Sequence, residues 1–281
     1  MIQANSYRQA LIECKELKPD SKNPLLSIII PTHFSVQKIS YTLKSILEQS
    51  FQDFEILIID AESEDRTLEC IQQYQSNKIH IYSHAQEYKI FKMFNRALPN
   101  AKGLYINMLL PGDTLISSHA LARAFEELDN NQYPDLLYGA YLKAKSRSHT
   151  QHTFDADNLR LSKNPSKLQQ CFIKRKQLKA IHNFSHNFQV RGDLDLFCKV
   201  WTKGNWRVSS VSRVFVDIYT YQFTINSIYI NTLETLSIIG HYFSKYDALK
   251  WLFSLKGQSF LKLWLKKTFL MGWSLKDSDP Q

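Results

Sequence analysis

The sequence predicts an α/β fold, in which a mostly parallel central sheet is covered by helices and followed by a C-terminal helical region. The first observation is a pair of short apolar runs, Leu26 to Ile30 and Phe54 to Ile59, which are rich in Ile. Such runs are typical of strands that are buried on both faces. The second observation is that each run is followed by a stretch whose apolar residues recur at helical spacing. Strands that alternate with helices predict a parallel sheet.

The first half of the chain continues this alternation. A helix is predicted over Val36 to Ser50, and Ser63 is a candidate N-cap for the next helix, which runs through Tyr74. The remaining elements predicted in this half are a strand at Lys78 to Tyr82, a helix at Lys89 to Asn100 and a strand at Leu104 to Leu109.

The second half is less regular, and its polar segment from Lys143 to Lys167 predicts a long loop region. The elements predicted there are strands at Leu136 to Tyr141, Gln169 to Ile173 and Ser212 to Tyr219, a helix at Asp193 to Thr202, and helices from Tyr229 onward. We therefore divide the chain into an N-terminal extension at residues 1–25, an α/β domain at residues 26–222 and a helical, basic-aromatic region at residues 223–281.

Composition narrows the class of protein. The chain has 35 Lys and Arg against 26 Asp and Glu, so its net charge of +9 favours anionic partners. There is no Arg-rich tract, zinc-finger pattern or RNA-recognition signature, which argues against nucleic acid. The N-terminus lacks the apolar core of a signal peptide and no stretch is apolar enough to span a membrane, so we expect a cytoplasmic protein. The scattered cysteines predict reduced thiols at Cys14, Cys70, Cys171 and Cys198.

Two aspartates stand directly after predicted strands. Asp60 follows the second apolar run, and Asp113 follows the strand that ends near Leu109. Ligands of parallel sheets bind beyond the carboxyl ends of the strands. Each aspartate alone is as readily explained as a turn or cap residue. Because both fall at the predicted ligand edge, the pair favours a binding site.

Five short segments carry a resemblance to a known family: Ser27 to Thr32, Asp60 to Thr67, Lys89 to Asn95, Leu110 to Asp113 and Gly192 to Asp195. Together they resemble the motifs of bacterial family-two glycosyltransferases of the GT-A fold, especially the exopolysaccharide and colanic-acid-type branch. The most specific is the second segment, which is similar to the family's Asp-Gly-x-Ser-x-Asp-x-Thr element. The resemblance extends from Leu26 to Tyr219 and implies a Rossmann-like GT-A domain.

The resemblance implies a nucleotide-sugar donor, typically with uracil as its base, and assigns the contact with the base to Asp60. The chemistry fits, because a carboxylate accepts a hydrogen bond and the imide N–H of uracil donates one. Lys92 stands where the family often has an acid, so it either meets donor phosphate or is a solvated helix residue. The predicted nucleotide-binding residues are Pro31, Thr32, His33, Asp60, Glu62 and Lys92.

The resemblance also implies catalytic and metal-binding residues. Asp193 and Asp195 match the family's catalytic motif, with Asp193 as the general base that removes the proton of the acceptor hydroxyl. The alternative for Asp193 is a helix N-cap. Asp113 is the predicted ligand of Mg²⁺ or Mn²⁺, since a hard cation often takes one or two carboxylates together with substrate phosphates. Only this last acid of the family's metal-binding element is present.

The tail from Lys250 to Trp273 crowds Trp, Phe and Leu among lysines. This composition predicts an interfacial helix on an anionic membrane surface, which would make the protein peripheral on the inner face of the membrane. Packing on the α/β domain or between the copies of a homo-oligomer predicts the same pattern, because core-facing helices share it.

The sequence therefore predicts an inverting glycosyltransferase that moves a sugar from a nucleotide sugar, expected to be a UDP-sugar, to a glycan or lipid-linked acceptor in surface polysaccharide synthesis. One alternative is a non-catalytic relative that binds nucleotide or glycan and supports a partner enzyme. This alternative is supported by the reduced metal motif and by Lys89 and Lys92. The other alternative is a basic protein that acts at membranes without binding nucleotide.

Overall fold

The computed structural model describes residues 23–83, 88–142, 147–219 and 225–254. Most of the predicted N-terminal extension and of the basic-aromatic tail lies outside the described residues, as does Cys14. The chain divides into two compact units. The sheet unit comprises Met1–Gln151, Ser166–Asn183 and Asn205–Tyr219, and the helical unit comprises His152–Pro165, Phe184–Gly204 and Thr220–Gln281. The helical unit takes in two segments from before residue 222, and the linear division into domains stays a prediction.

The strands found among the described residues all belong to the sheet unit. They are β1 Leu26–Thr32, β2 Phe54–Asp60, β3 Ile79–Ser83, β4 Tyr105–Met108, β5 Thr114–Leu115, β6 Leu136–Gly139, β7 Tyr141–Leu142, β8 His149–Thr150, β9 Cys171–Lys174, β10 Val208–Val211 and β11 Val216–Asp217. A 3-10 turn, Leu168–Gln170, precedes β9.

The helices are divided between the units. Those of the sheet unit are α1 Val36–Leu47, α2 Thr67–Gln72, α3 Ile90–Ala97, α4 Ala120–Asn130 and α6 Arg175–Ala180. Those of the helical unit are α5 Ala156–Arg160, α7 Gly192–Lys203, α8 Ile225–Tyr242 and α9 Lys245–Leu252.

The main sheet has seven strands in the order β10-β6-β9-β4-β1-β2-β3. Strand β1 pairs in parallel with both β2 and β4, and β2 pairs in parallel with β3. Strand β9 runs antiparallel to β4 and β6. The prediction of an α/β fold with a mostly parallel sheet is therefore confirmed, with one reversed strand inside the sheet.

The core of the sheet unit follows from the apolar pattern. All seven residues of β1 and of β2 are buried, as continuous apolar runs predict. Helix α1 buries Ile39, Leu43 and Ile46, which share one helical face. Further along, the Phe51 and Phe125 rings stack with their centroids 4.2 Å apart. Full burial of one such side chain stabilises the fold by about 1.5–3 kcal/mol.

Two local predictions are wrong. Ser63 does not cap a helix, because its hydroxyl donates to Asp60 and α2 begins only at Thr67. The predicted strand from Ser212 to Tyr219 is also not formed as such. Of its residues only Val216 and Asp217 form a strand, β11, which pairs with β5 outside the main sheet. The backbone N–H groups of Phe215 and Val216 donate instead to the Gln170 side chain.

The helical unit has a small core of its own. Ile239 on α8 packs with Ala248 and Trp251 on α9, and all three are buried.

Among the residues that the structure describes, no helix is long and apolar enough to cross a membrane.

Candidate active site

The carboxyl edge of the sheet brings Thr32 and Asp60 together. They are the paired last residues of adjacent parallel strands, and the Thr32 hydroxyl donates to Asp60 Oδ1 at 2.7 Å. The Ser63 hydroxyl donates to the same oxygen at 2.7 Å, and the Ser63 backbone N–H donates to Oδ2 at 2.8 Å. Asp60 is fully buried, so its carboxylate organises the turn after β2. Because a carboxylate offers about four lone-pair sites, acceptor capacity remains on Oδ2.

Asp65 joins this turn to the start of α1. It accepts hydrogen bonds from the Thr67 hydroxyl at 2.5 Å and from the Val36 backbone N–H at 3.2 Å. Burial raises the pKa of Asp65, but the hydrogen bonds from Thr67 and Val36 outweigh it and hold this pKa below its usual range. The Thr67 hydroxyl in turn accepts from the Ser35 backbone N–H at 2.9 Å. The loops after β1 and β2 are thereby held as one surface.

Three aromatic rings lie beside this surface. The His33 ring centroid is 4.2 Å from that of Phe34 and 4.5 Å from that of Tyr88. Phe34 and Tyr88 are 56% and 58% exposed, and the backbone N–H of Phe34 donates to the Ser63 hydroxyl. Exposed rings of this kind can stack on a planar heterocycle. Only His33 was predicted, because Tyr88 reaches the group from the loop after β3.

The other predicted nucleotide-binding residues are Pro31, Glu62 and Lys92. Pro31 is buried in β1, one residue before Thr32. Glu62 is exposed and takes a left-handed backbone conformation, with φ of 51°. Lys92 is half-buried in the first turn of α3. Their contact with nucleotide stays a prediction.

Asp113 fastens its loop to the segment that follows β11. Its Oδ2 accepts the Leu110 backbone N–H and its Oδ1 accepts the Tyr219 backbone N–H, each at 2.8 Å. Asp113 is fully buried, and this burial raises its pKa to about 6 against the opposing effect of its hydrogen bonds. The Tyr219 ring packs so closely on Gly112 that an added Cβ there would lie 2.8 Å from the ring.

This environment does not fit a resident metal ion. Each oxygen of Asp113 accepts a backbone N–H, so this carboxylate holds its own loop. Within residues 23–83, 88–142, 147–219 and 225–254, no group of three or more His, Cys, Asp or Glu side chains could hold a metal. Asp113 as a ligand of Mg²⁺ or Mn²⁺ therefore stays a prediction that the local geometry does not support.

In the helical unit, Asp193 is anchored but accessible. Its Oδ2 accepts from Asn164 Nδ2 at 2.5 Å, and its Oδ1 lies 3.6 Å from Arg191 Nε. Its side chain is 19% exposed. The alternative that Asp193 is the N-cap is wrong, because α7 begins at Gly192 and Arg191 occupies the N-cap position. An oriented carboxylate that still reaches solvent can accept a proton from a bound hydroxyl.

Asp195 has a different environment, although it belongs to the same predicted motif. It is 2% exposed, lies 2.8 Å from Lys199 Nζ and accepts the Tyr242 hydroxyl at 2.8 Å. Burial first, and then the hydrogen bond to Asp195, raise the pKa of the Tyr242 phenol. Asp195 therefore braces α7 against α8, and of the two predicted catalytic acids Asp193 is the one with an accessible carboxylate.

A separate cavity of about 570 Å³ opens near the amino end of β2, beside Glu55, Lys78 and His80. None of the predicted site residues lines it. The Glu55 carboxylate there accepts hydrogen bonds from Ser27 and from the Lys102 backbone. We assign the candidate nucleotide site to the carboxyl edge, because Thr32, His33 and Asp60 of the predicted set belong to the two loops that meet there.

Comparison with known proteins finds similar sequences and a shared fold. A PGL/p-HBAD biosynthesis glycosyltransferase of Mycobacterium tuberculosis is 27% identical over 175 residues, which cover 61% of this chain and 68% of the relative. The UDP-Glc:alpha-D-GlcNAc-diphosphoundecaprenol beta-1,3-glucosyltransferase WfgD of Escherichia coli is 27% identical over 117 residues, which cover 42% and 46%. S. aureus TarS 1-349 in complex with UDP-GlcNAc shares the fold, with a TM-score of 0.61 and 18% identity over 84% and 78% of the two chains. Residues 27–190 match the sequence profile described as Glycosyl transferase family 2, and the chain belongs to this family of glycosyltransferases.

Proposed function

We propose that this glycosyltransferase transfers a sugar from a UDP-sugar, with inversion, to a glycan or lipid-linked acceptor in surface polysaccharide synthesis. The observation that carries the proposal is the group at the carboxyl edge of the sheet, where Thr32 and Asp60 meet beside the exposed rings around His33. A planar base can stack on these rings while its imide N–H donates to the Asp60 carboxylate.

The donor and acceptor classes draw support from two relatives. The name of WfgD gives UDP-Glc as its donor and a diphosphoundecaprenol-linked sugar as its acceptor, and the TarS structure holds UDP-GlcNAc. For the present chain these are proposals. The positive net charge of +9 is consistent with a substrate that carries phosphate.

The proposed chemistry depends on Asp193. Its carboxylate takes the proton of the acceptor hydroxyl while that oxygen attacks the anomeric carbon. The bond from this carbon to the diphosphate breaks, and UDP leaves with the bonding electrons. Attack from the side opposite the leaving group inverts the anomeric centre. No step is assigned to a metal ion, because the residues around Asp113 do not fit one.

The helical unit has an exposed apolar face that suits contact with a membrane. Tyr246 and Leu249 on α9 and Phe253 directly after it are 74%, 55% and 65% exposed and share one helical face, whereas Ala248 and Trp251 pack inward. Lys245 and Lys250 flank the exposed face, and the sequence beyond it adds Lys256, Lys262, Lys266 and Lys267. We propose that this face rests on an anionic lipid surface, where apolar side chains enter the interface and lysines meet the headgroups.

The nucleotide site is tested by Asp60→Asn. We expect the affinity for UDP to fall about tenfold or more, because a hydrogen bond to a charged group is worth about 1.5–3 kcal/mol. Isothermal titration calorimetry measures the dissociation constant, and a thermal-shift series of nucleotide sugars identifies the donor, since ligands of the folded state raise its apparent stability. The control is Asp53→Asn, an exposed aspartate before the opposite end of β2. An unchanged dissociation constant in Asp60→Asn would refute the contact.

The base is tested by Asp193→Asn. We expect kcat to fall by about a hundredfold or more, because the amide cannot take the proton, while UDP affinity stays unchanged. Release of UDP in the presence of acceptor measures turnover, and a chain that only bound nucleotide would release none. Asp157→Asn is the matched control, since that side chain lies in the same unit and is 89% exposed. Wild-type turnover in Asp193→Asn would exclude this role.

The protonation state of Asp113 is tested by measuring the stability of the fold at different pH values. Its pKa of about 6 lies above the unfolded value of 3.8, so the folded chain binds the proton more tightly and loses stability as pH rises through this interval. The difference between these two pKa values corresponds to about 3 kcal/mol. We expect Asp113→Asn to gain this amount relative to wild type between about pH 4 and pH 7, measured by denaturant unfolding.

Asp129→Asn, at an exposed position on α4, sets the baseline for such a change. If the difference in stability between wild type and Asp113→Asn does not vary with pH, Asp113 is not a buried carboxyl with a raised pKa. If Mn²⁺ stabilised the wild type but not Asp113→Asn, Asp113 would be a metal ligand after all.

The membrane surface is tested by replacing Tyr246 and Leu249 together with Ser. We expect the double variant to bind phosphatidylglycerol-containing vesicles at least about tenfold more weakly in co-sedimentation, because each buried apolar side chain contributes about 1.5–3 kcal/mol. Vesicles of phosphatidylcholine alone should bind the wild type less. Ile116→Ser, which changes a 50% exposed residue of the sheet unit, is the control. Equal sedimentation of the double variant and the wild type would exclude this surface.

A further inference from the structure

Three consecutive backbone N–H groups in the helical unit point at one carboxylate. The N–H of Gln189 donates to Glu234 Oε1 at 2.7 Å, and those of Val190 and Arg191 donate to Oε2 at 2.9 and 2.8 Å. Successive amides that converge in this way form a concave anion site, which is often filled by phosphate. Here the anion belongs to the protein itself, because Glu234 lies on α8 and is 9% exposed.

These three residues lead directly into the proposed base. Helix α7 begins at Gly192, and Asp193 is its second residue. The Arg191 side chain donates from Nη2 to the Ser162 hydroxyl at 3.0 Å and to Asn164 Oδ1 at 3.4 Å. Asn164 then donates to Asp193. A continuous set of hydrogen bonds therefore runs from the Glu234 carboxylate, through Arg191 and Asn164, to the carboxylate of Asp193.

Helix α8 holds α7 at a second place. The hydroxyl of Tyr242, eight residues after Glu234, donates to Asp195 in the first turn of α7. Both contacts are charge-assisted, because a carboxylate is the acceptor in each, but the Glu234 contact differs in that it acts on the backbone. A buried carboxylate without these partners would be costly, so the amides and Glu234 depend on each other.

We infer that Glu234 is a positioning residue for glycosyl transfer, which sets the orientation of Asp193 through the backbone at residues 189–191. The inference rests on the proposed role of Asp193 as the base. A general base works only within hydrogen-bond reach of the proton that it takes. A displacement of about 1 Å in such a group can cost about a hundredfold in rate.

The inference is tested with Glu234→Ala in the full chain. We expect kcat to fall by about a hundredfold while KM for the UDP-sugar stays near the wild-type value, because Thr32 and Asp60 belong to the other unit. Added formate should bind the vacated amides and restore part of the lost kcat in a saturable way. The same formate should raise the melting temperature of Glu234→Ala but not that of the wild type.

Two further variants complete the experiment. Glu234→Gln keeps the shape of the side chain but presents an NH₂ group to the amides, so it should lose kcat and gain nothing from formate. Glu48→Ala, which removes a side chain that is 62% exposed, is the control and should retain wild-type kcat.

Each outcome decides between the claims. Wild-type kcat in folded Glu234→Ala overturns the positioning role, and so does a lost kcat that formate does not restore. Absence of a formate-induced thermal shift overturns the anion site itself, whether or not the protein turns over. Full activity of Asp193→Asn, in contrast, removes the proposed base while leaving the thermal-shift result intact.

Discussion

The parallel pairing of β1 with β2 is the constraint on which the candidate site depends. Its register sets Thr32 opposite Asp60, so the last residues of two buried strands share a hydrogen bond at the edge of the sheet. Ser63 completes the Asp60 turn, and Asp65 then ties the same loop to the start of α1. If the register of one strand shifted by one residue, its side chains would lie on the opposite face of the sheet and the hydrogen bond between Thr32 and Asp60 would be lost.

Asp60, Asp113 and Asp193 lie in three different environments, and the degree of burial decides what each carboxylate can do. Asp60 accepts hydrogen bonds from Thr32 and Ser63, shapes a turn and keeps acceptor capacity on Oδ2. Asp113 is closed in by two backbone amides, and its raised pKa reflects the cost of a buried charge. Asp193 alone combines an anchor with exposure. A proton acceptor needs both properties, because it must be oriented and must also meet its substrate.

The helical unit adds support for that third aspartate. Helix α8 contributes Glu234 to the backbone before α7 and Tyr242 to the first turn of α7. Helix α9 packs on α8 through a small apolar core and leaves its other face exposed. In this unit, one helix therefore serves two proposed purposes at once, since it braces the base and carries the element proposed to meet lipid.

The sequence by itself determined the α/β class and the alternation of strands and helices in the first half, and it singled out Asp60 and Asp193 as candidates, because apolar periodicity and short motifs are local signals. It could not place β9 antiparallel within the sheet, nor show that β11 pairs with β5 outside the main sheet, since both depend on partners distant in sequence. Only the tertiary structure decided that Asp113 is closed in by its own backbone and that Glu234 fills the amides before α7. The physical reason is that burial and hydrogen-bond partners are properties of the packed chain, and they decide what a carboxylate can do.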